Sequence, residues 1–246
     1  MSFAHAARLL ARRLGIEVHR YKPTQSQHAR LFRLLNYHEI DSVLDVGAND
    51  GDYARLLRQG GFQGKILSFE PLENAHRALC RAAEQDPNWY VAPRMALGMT
   101  EGEVSINVSQ NSKSSSILAV TAAHISAAPQ STYVGVQRVP LRRLDTIRDG
   151  VIERSRALFL KVDAQGYEMP ILKGAENLLP RIHGAQLELS LTCLYEGQEI
   201  YREMIEWLTS QGFDLWNVLP GFSDPTTGRM LQMDGVFFRS LAPNSK

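Results

Sequence analysis

Cysteine is nearly absent. Only Cys80 and Cys193 occur in 246 residues, far apart and with no partner nearby. Neither a disulfide framework nor a metal-ligand cluster can be built on them, and they suit a reducing, cytoplasmic setting. Long apolar runs are also missing, since none reaches the roughly 20 residues needed to span a bilayer. The N-terminus carries Arg8, Arg12 and Arg13 among alanines and leucines, without the sustained apolar core of a secretion signal. Charge of one sign is not in excess: 27 Lys plus Arg face 26 Asp plus Glu, a formal net charge of +1. That balance gives no electrostatic basis for nucleic-acid binding. The sequence has no Gly-x-x-x-x-Gly-Lys-Ser/Thr phosphate loop and no complete Gly-x-Gly-x-x-Gly fingerprint, which count against a nucleotide hydrolase and a dinucleotide enzyme. His38, His124 and His183 stand isolated, and Ser114, Ser115 and Ser116 lack a nearby His–Asp arrangement, so a hydrolase nucleophile has no support.

What is present is an ordinary soluble composition, 44% hydrophobic and 22% charged, enough to build one large α/β domain. Residues 2–14 and 25–38 read as helices separated by Lys22-Pro23-Thr24. They form a helical extension over 1–40, ahead of one domain over 41–246. The first helix is amphipathic, suited to packing or to a homodimer, with membrane-surface attachment as the alternative. Strands are expected at Ser42–Val46, Lys65–Phe69, 91–97, 103–108, 157–162, 186–191, 213–219 and 231–239. Helices are expected between several of them, one beginning at Pro170 and one stopped by Gly212. Residues 109–133 are rich in Ser, Ala and Thr, have no strong period, and read as a loop or lid with a short helix near 118–126. The alternation predicts a mostly parallel sheet covered on both faces, ending in an antiparallel hairpin.

The segment Asp45-Val46-Gly47-Ala48-Asn49-Asp50-Gly51 follows the first strand, where open α/β sheets bind ligands. Gly47 permits a sharp turn and close backbone approach, and Gly51 frees space as the helix begins. Asp45 either organises the loop or meets a ligand amino group through water, and Asn49 satisfies backbone groups or meets a ligand carboxylate. Glu70, after the second strand, has the chemistry to accept both hydroxyl hydrogens of a ribose, a geometry that also serves NAD. Ala96 either flanks an adenine or belongs to the core.

A second dense segment is Lys161-Val162-Asp163-Ala164-Gln165-Gly166-Tyr167-Glu168. Asp163, at a strand end, is placed to orient a substrate hydroxyl, to accept its proton, or to hold a divalent metal. Glu188, inside an apolar strand, needs a partner or ligand. The two carboxylates are expected to meet across strand ends, where they either share Mg2+ or hydrogen-bond substrate and backbone. Lys161 pairs with a carboxylate or points toward substrate. Ser115, Ser116, Tyr195 and Glu196 are candidate acceptor contacts.

In their order along the chain these segments, with Phe69-Glu70-Pro71, Leu172-Lys173-Gly174-Ala175, Tyr195-Glu196-Gly197-Gln198 and Asp234-Gly235-Val236-Phe237, resemble the FkbM-type methyltransferases from about residue 40 to residue 240. The resemblance implies a Rossmann-like class I methyltransferase fold, S-adenosylmethionine as methyl donor, and O-methylation of a small molecule such as a sugar, glycan or polyketide. The expected cofactor contacts are Asp45, Gly47, Ala48, Asn49, Gly51, Tyr53, Glu70, Pro71 and Ala96, with Asp163 and Glu188 at the reacting centre. Cys193 departs from the apolar or proline residue common at its place in related chains. The competing expectations are an NAD-linked oxidoreductase and a non-catalytic binding protein of the same fold.

Overall fold

A computed structural model describes His5 and residues 13–15 and 26–239. The helix expected over 2–14 therefore lies, apart from His5, Arg13 and Leu14, outside the described residues. The helix expected over 25–38 is α1 (Gln27–Tyr37), started by Ser26, whose side chain accepts from the Ala29 N–H at 3.4 Å. It buries Leu31 and Leu35, each contributing about 1.5–3 kcal/mol through apolar burial. Among the described residues no helix is long and apolar enough to cross a membrane.

The chain continues through β1 (Ser42–Val46), α2 (Asp52–Gln59), β2 (Lys65–Phe69), α3 (Glu73–Ala83) and β3 (Trp89–Val91). After β4 (Ala96–Leu97), β5 (Gly102–Ser109), α4 (Ala122–Ala127), β6 (Tyr133–Arg142) and α5 (Gly150–Arg154), it returns to the main sheet with β7 (Leu158–Val162). α6 (Glu168–Lys173), β8 (Ile182–Ser190), α7 (Tyr201–Ser210), β9 (Phe213–Pro220) and β10 (Gln232–Arg239) complete it. The seven-stranded sheet runs β3-β2-β1-β7-β8-β10-β9. Pairings among its first five strands are parallel, and β10 is antiparallel to both β8 and β9.

The sheet is apolar on both sides, as parallel strands covered by helices must be. β1 alternates Val43 toward a core with α1, α2 and α3, and Leu44 and Val46 toward a second core with α5, α6 and α7. Successive strands build outward from β1 in one direction, then the chain crosses to β7 on its other flank. The reversal opens a crevice between the carboxyl ends of β1 and β7, the ligand position of open α/β sheets.

Two departures from the sequence expectation concern the middle of the chain. The strand expected over 91–97 is two strands in different sheets, split at Pro93, which has no N–H for a ladder. No element was expected at 134–142, yet β6 joins β5 and β4 in a second, three-stranded sheet. Its apolar residues change face midway: Val134 and Val136 are exposed while Val139 and Leu141 are buried, and Pro140 reads as a breaker. This sheet packs Ile106, Val139 and Leu141 on Leu72 and Ala75, and so closes the crevice beside β2.

Candidate active site

The crevice holds a cavity of about 520 Å³, lined by the loops after β1, β2 and β7, by β4, by residues 111–117, and by the terminal hairpin. The first loop is tied to β2 because Gly47 and Ala48 both donate N–H groups to the Phe69 carbonyl, at 3.1 and 3.0 Å. Gly47 adopts φ +74°, and a Cβ there would lie 1.8 Å from the Asp163 carbonyl oxygen. Only glycine allows the two loops to approach so closely. Asn49, at φ 48°, donates its N–H to Glu70 Oε2 at 2.8 Å, and Leu72 donates to Glu70 Oε1 at 2.8 Å. Glu70 is 4% exposed, and burial pushes its carboxyl up to about 7 despite these two donors. Each oxygen has a second lone pair left to accept with, and Glu70 lines the cavity.

Beside this loop stands a buried ion network. Lys161 on β7 is the register partner of Asp45 on β1. Its Nζ lies 3.4 Å from the Gly47 carbonyl, 3.5 Å from Asp45 Oδ1 and 3.6 Å from Asp163 Oδ2, and 5.4 Å from the centre of the Tyr53 ring. Burial works against the ammonium, but Asp163 and Asp45 outweigh it and raise its pKa. Asp45 is fully buried, with Ser68 donating to its Oδ2 at 3.3 Å.

Asp163 and Glu188 do meet, through a third residue. The Gln165 amide donates to Asp163 Oδ1 and to Glu188 Oε2, both at 2.8 Å, and its Oε1 accepts from the Tyr195 hydroxyl at 2.7 Å. The Asp163 carboxylate, which can only accept, fixes which end of the amide is nitrogen. Gln165 itself sits at φ 54°, with its carbonyl accepting from Ser116 Oγ at 2.7 Å. Glu168 closes the turn by accepting from the N–H groups of Ala164 and Gly166. Burial first, then the Asp163 charge, drives the Glu188 pKa well above the carboxylate range. The same two causes lift Asp234, its register partner on β10, to about 6.

The expected residues thus fall into two groups. Gly47, Ala48, Asn49, Tyr53, Glu70, Pro71, Ala96, Ser115, Ser116, Lys161, Asp163 and Glu188 all line the cavity. Asp45 and Gly51 shape it from behind, Gly51 by making room for the Trp89 ring. Tyr195 is fully buried behind Gln165, and Glu196 is exposed on a turn away from the cavity. The Ser116 hydroxyl is spent on the Gln165 carbonyl, and the Ser115 hydroxyl accepts from the Ser109 N–H. Sequence reasoning gave no role to Gln165, although it stands in the second dense segment, nor to Gln186, Phe222 and Gln232, which are uncharged.

The segment after β5 folds over the cavity. Asn49 Nδ2 reaches Ser112 Oγ at 3.3 Å, and Lys113 Nζ pairs with Asp52 Oδ2 at 2.6 Å across its mouth. The lid helix is α4, at 122–127 rather than 118–126. A Mg2+ ion shared by Asp163 and Glu188 does not fit: the facing oxygens receive amide hydrogens, and Asp163 Oδ2 already looks toward an ammonium. Among the described residues no group of three or more His, Cys, Asp or Glu is placed to hold a metal.

Five parallel strands, an antiparallel terminal pair, a glycine loop after β1 and an acid after β2 define the Rossmann-like class I methyltransferases, which use S-adenosylmethionine. Within that class the chain belongs to the FkbM methyltransferase family, whose domain matches residues 45–215. Hexuronic acid methyltransferase AglP of Haloferax volcanii is 24% identical over 174 residues, which are 70% of this chain and 66% of that protein. Among solved structures, TehB from Haemophilus influenzae is 10% identical with a TM-score of 0.49, covering 88% of this chain and 63% of that one. An S-adenosylmethionine dependent methyltransferase from Mesorhizobium loti is 8% identical with a TM-score of 0.47, covering 89% and 100%. Family membership rests on the domain match.

Proposed function

We propose that the chain is an O-methyltransferase that moves the methyl group of S-adenosylmethionine to a hydroxyl of a small molecule, a sugar, glycan or polyketide. The observation that carries this reading is Asp163, a partly exposed carboxylate on the cavity wall at the switch point, fixed by Lys161 and Gln165. The donor suits the first half of the cavity. The Gly47–Asn49 backbone on the cavity wall can meet a methionine moiety, and Glu70 has lone pairs for two ribose hydroxyls. When bound, S-adenosylmethionine supplies an electrophilic methyl carbon.

The protein's own share is alignment, exclusion of water and removal of a proton. Asp163 Oδ2 accepts the acceptor hydroxyl proton while Lys161 balances the charge on the ionised form. Glu188, kept protonated by burial and by Asp163, offers a hydrogen-bond donor and helps hold the hydroxyl. The loop from Ser112 to Ser116 covers the centre. Residues 41–246 form the catalytic unit of a cytoplasmic enzyme, and the 1–40 extension selects the acceptor or pairs two copies. That AglP is named for a hexuronic acid supports a sugar-derived acceptor.

The test is calorimetry with S-adenosylhomocysteine and with NAD, followed by a methyl-transfer screen across glycosides, polyketides and phenols with product masses. We expect S-adenosylhomocysteine to bind and a product heavier by one methylene. Asp163→Asn should lose most turnover and keep its cofactor affinity. Binding of NAD alone, or full turnover in that variant, would overturn the reading.

A further inference from the structure

On the side of β7, β8 and β10, across β1 from Glu70, the cavity is lined by Asp163, Glu188 and three residues of the terminal hairpin: Phe222, Gln232 and Asp234. Gln232 is 4% exposed, yet its Nε2 meets no hydrogen-bond acceptor. A buried amide left without a partner is costly, and Gln232 lines the cavity, so a turn of its side chain that brings Nε2 onto a ligand oxygen would satisfy it. Asp234, two residues on, supplies an acceptor. Phe222 is half-buried and held by backbone bonds from Leu231 and Gln232 to its carbonyl. A carboxylate, an unpaired carboxamide and an aromatic ring suit one ligand chemistry: hydroxyls that both donate and accept, on a ring with an apolar face.

The charges on this wall narrow the ligand further. Among the described residues the lining carries Asp50, Asp52, Glu70, Asp163 and Asp234 beside the protonated Glu188, with only Lys113 and Lys161 opposite them. Both cations already face carboxylates. Lys113 is bound to Asp52 at 2.6 Å. Lys161 divides its ammonium among the Gly47 carbonyl, Asp45 and Asp163. Among the described residues no arginine lines the cavity.

We infer that Phe222, Gln232 and Asp234 form an acceptor subsite for an uncharged polyhydroxylated ring, and that the surrounding carboxylates reject a uronate or a sugar phosphate. This rests on the methyl-transfer reading and adds to it the charge of the acceptor and the residues that select it. A carboxylate brought beside Asp163 and Asp234, with no cation released to meet it, is repelled in a partly dehydrated site. The subsite therefore separates this chain from the relative named for a hexuronic acid.

The test uses the full chain. Calorimetry with S-adenosylhomocysteine comes first, because failure to bind overturns the methyl-transfer reading and the subsite with it. Methyl hexopyranosides are then assayed, each against the matching uronate, by product mass and steady-state kinetics. We expect the neutral member to have a kcat/KM higher by about tenfold or more. Asp234→Asn, nearly isosteric, should raise KM for the neutral acceptor by about fivefold, narrow the gap to the uronate, and leave S-adenosylhomocysteine affinity unchanged. Gln232→Met should raise KM likewise. Equal or better use of the uronate overturns the inference. So does methylation of no member of the panel while S-adenosylhomocysteine binds, or an unchanged KM in both variants.

Discussion

Replacing Glu70 by glutamine should make the protein more stable at alkaline pH and worse at holding its ligand. Burial lifts the Glu70 carboxyl from the usual carboxylate range to about 7. Between the unfolded value near 4.5 and this one, the folded state binds more protons than the unfolded state, so stability falls as pH rises. The contribution is fully present below about 4.5 and gone above about 7. A rise of about 2.5 pH units corresponds to on the order of 3 kcal/mol, undiminished by solvent at a side chain this buried. Glutamine mimics the neutral acid and avoids that loss. It presents only one oxygen to the two N–H groups of Asn49 and Leu72, a cost of about 1–3 kcal/mol that the protonated acid shares in part. Urea unfolding of the ligand-free proteins should therefore find the two within about 1 kcal/mol at pH 5 and the variant ahead by up to about 3 kcal/mol at pH 8. Calorimetry at pH 8 should show S-adenosylhomocysteine affinity reduced about tenfold or more, from loss of an ionised ribose acceptor. A stability difference independent of pH would refute the account of Glu70, and unchanged affinity would refute its assignment to ribose.

Two other substitutions probe the loops. Gly47→Ala places a methyl group 1.8 Å from the Asp163 carbonyl at φ +74°; we expect a loss of about 3 kcal/mol or more in urea unfolding and of detectable S-adenosylhomocysteine binding. Wild-type values for both would show that the loops separate readily. Gln165→Met keeps the length of the side chain and removes its bonds to both carboxylates; turnover should fall on the order of 100-fold with S-adenosylhomocysteine affinity within about threefold of wild type, and the pH–rate profile should shift as Glu188 loses this hydrogen bond. Unchanged kcat with an unchanged profile would leave Gln165 a scaffold residue only.

Most of the sheet was legible because its signals are local. Five buried residues followed by Gly47 and Gly51 announce β1 and its loop, and Lys65–Phe69 repeats the pattern one helix later. β6 was not legible, since its apolar residues switch face between Val136 and Val139 and Pro140 interrupts the run. The site divides along the same line. Glycines and acids at strand ends stand out in a sequence, and they line or back the cavity. Gln165 does not stand out, because its part depends on Glu188 and Tyr195, 23 and 30 residues further along. Tyr195 illustrates the opposite case: a polar side chain in a dense segment, turned inward to hold that same glutamine.

The contact between Gly47 and the Asp163 carbonyl has a mechanical consequence. The two loops are pressed together at a point where neither has a flexible side chain to absorb movement. On the proposed reading one loop serves the donor half of the cavity and the other the acceptor half, so a push on one is felt by the other. A ligand that shifts one must change the other's fit, and thermodynamic reciprocity requires the influence to run equally in both directions. On that reading the affinity measured for either ligand should carry the imprint of the other.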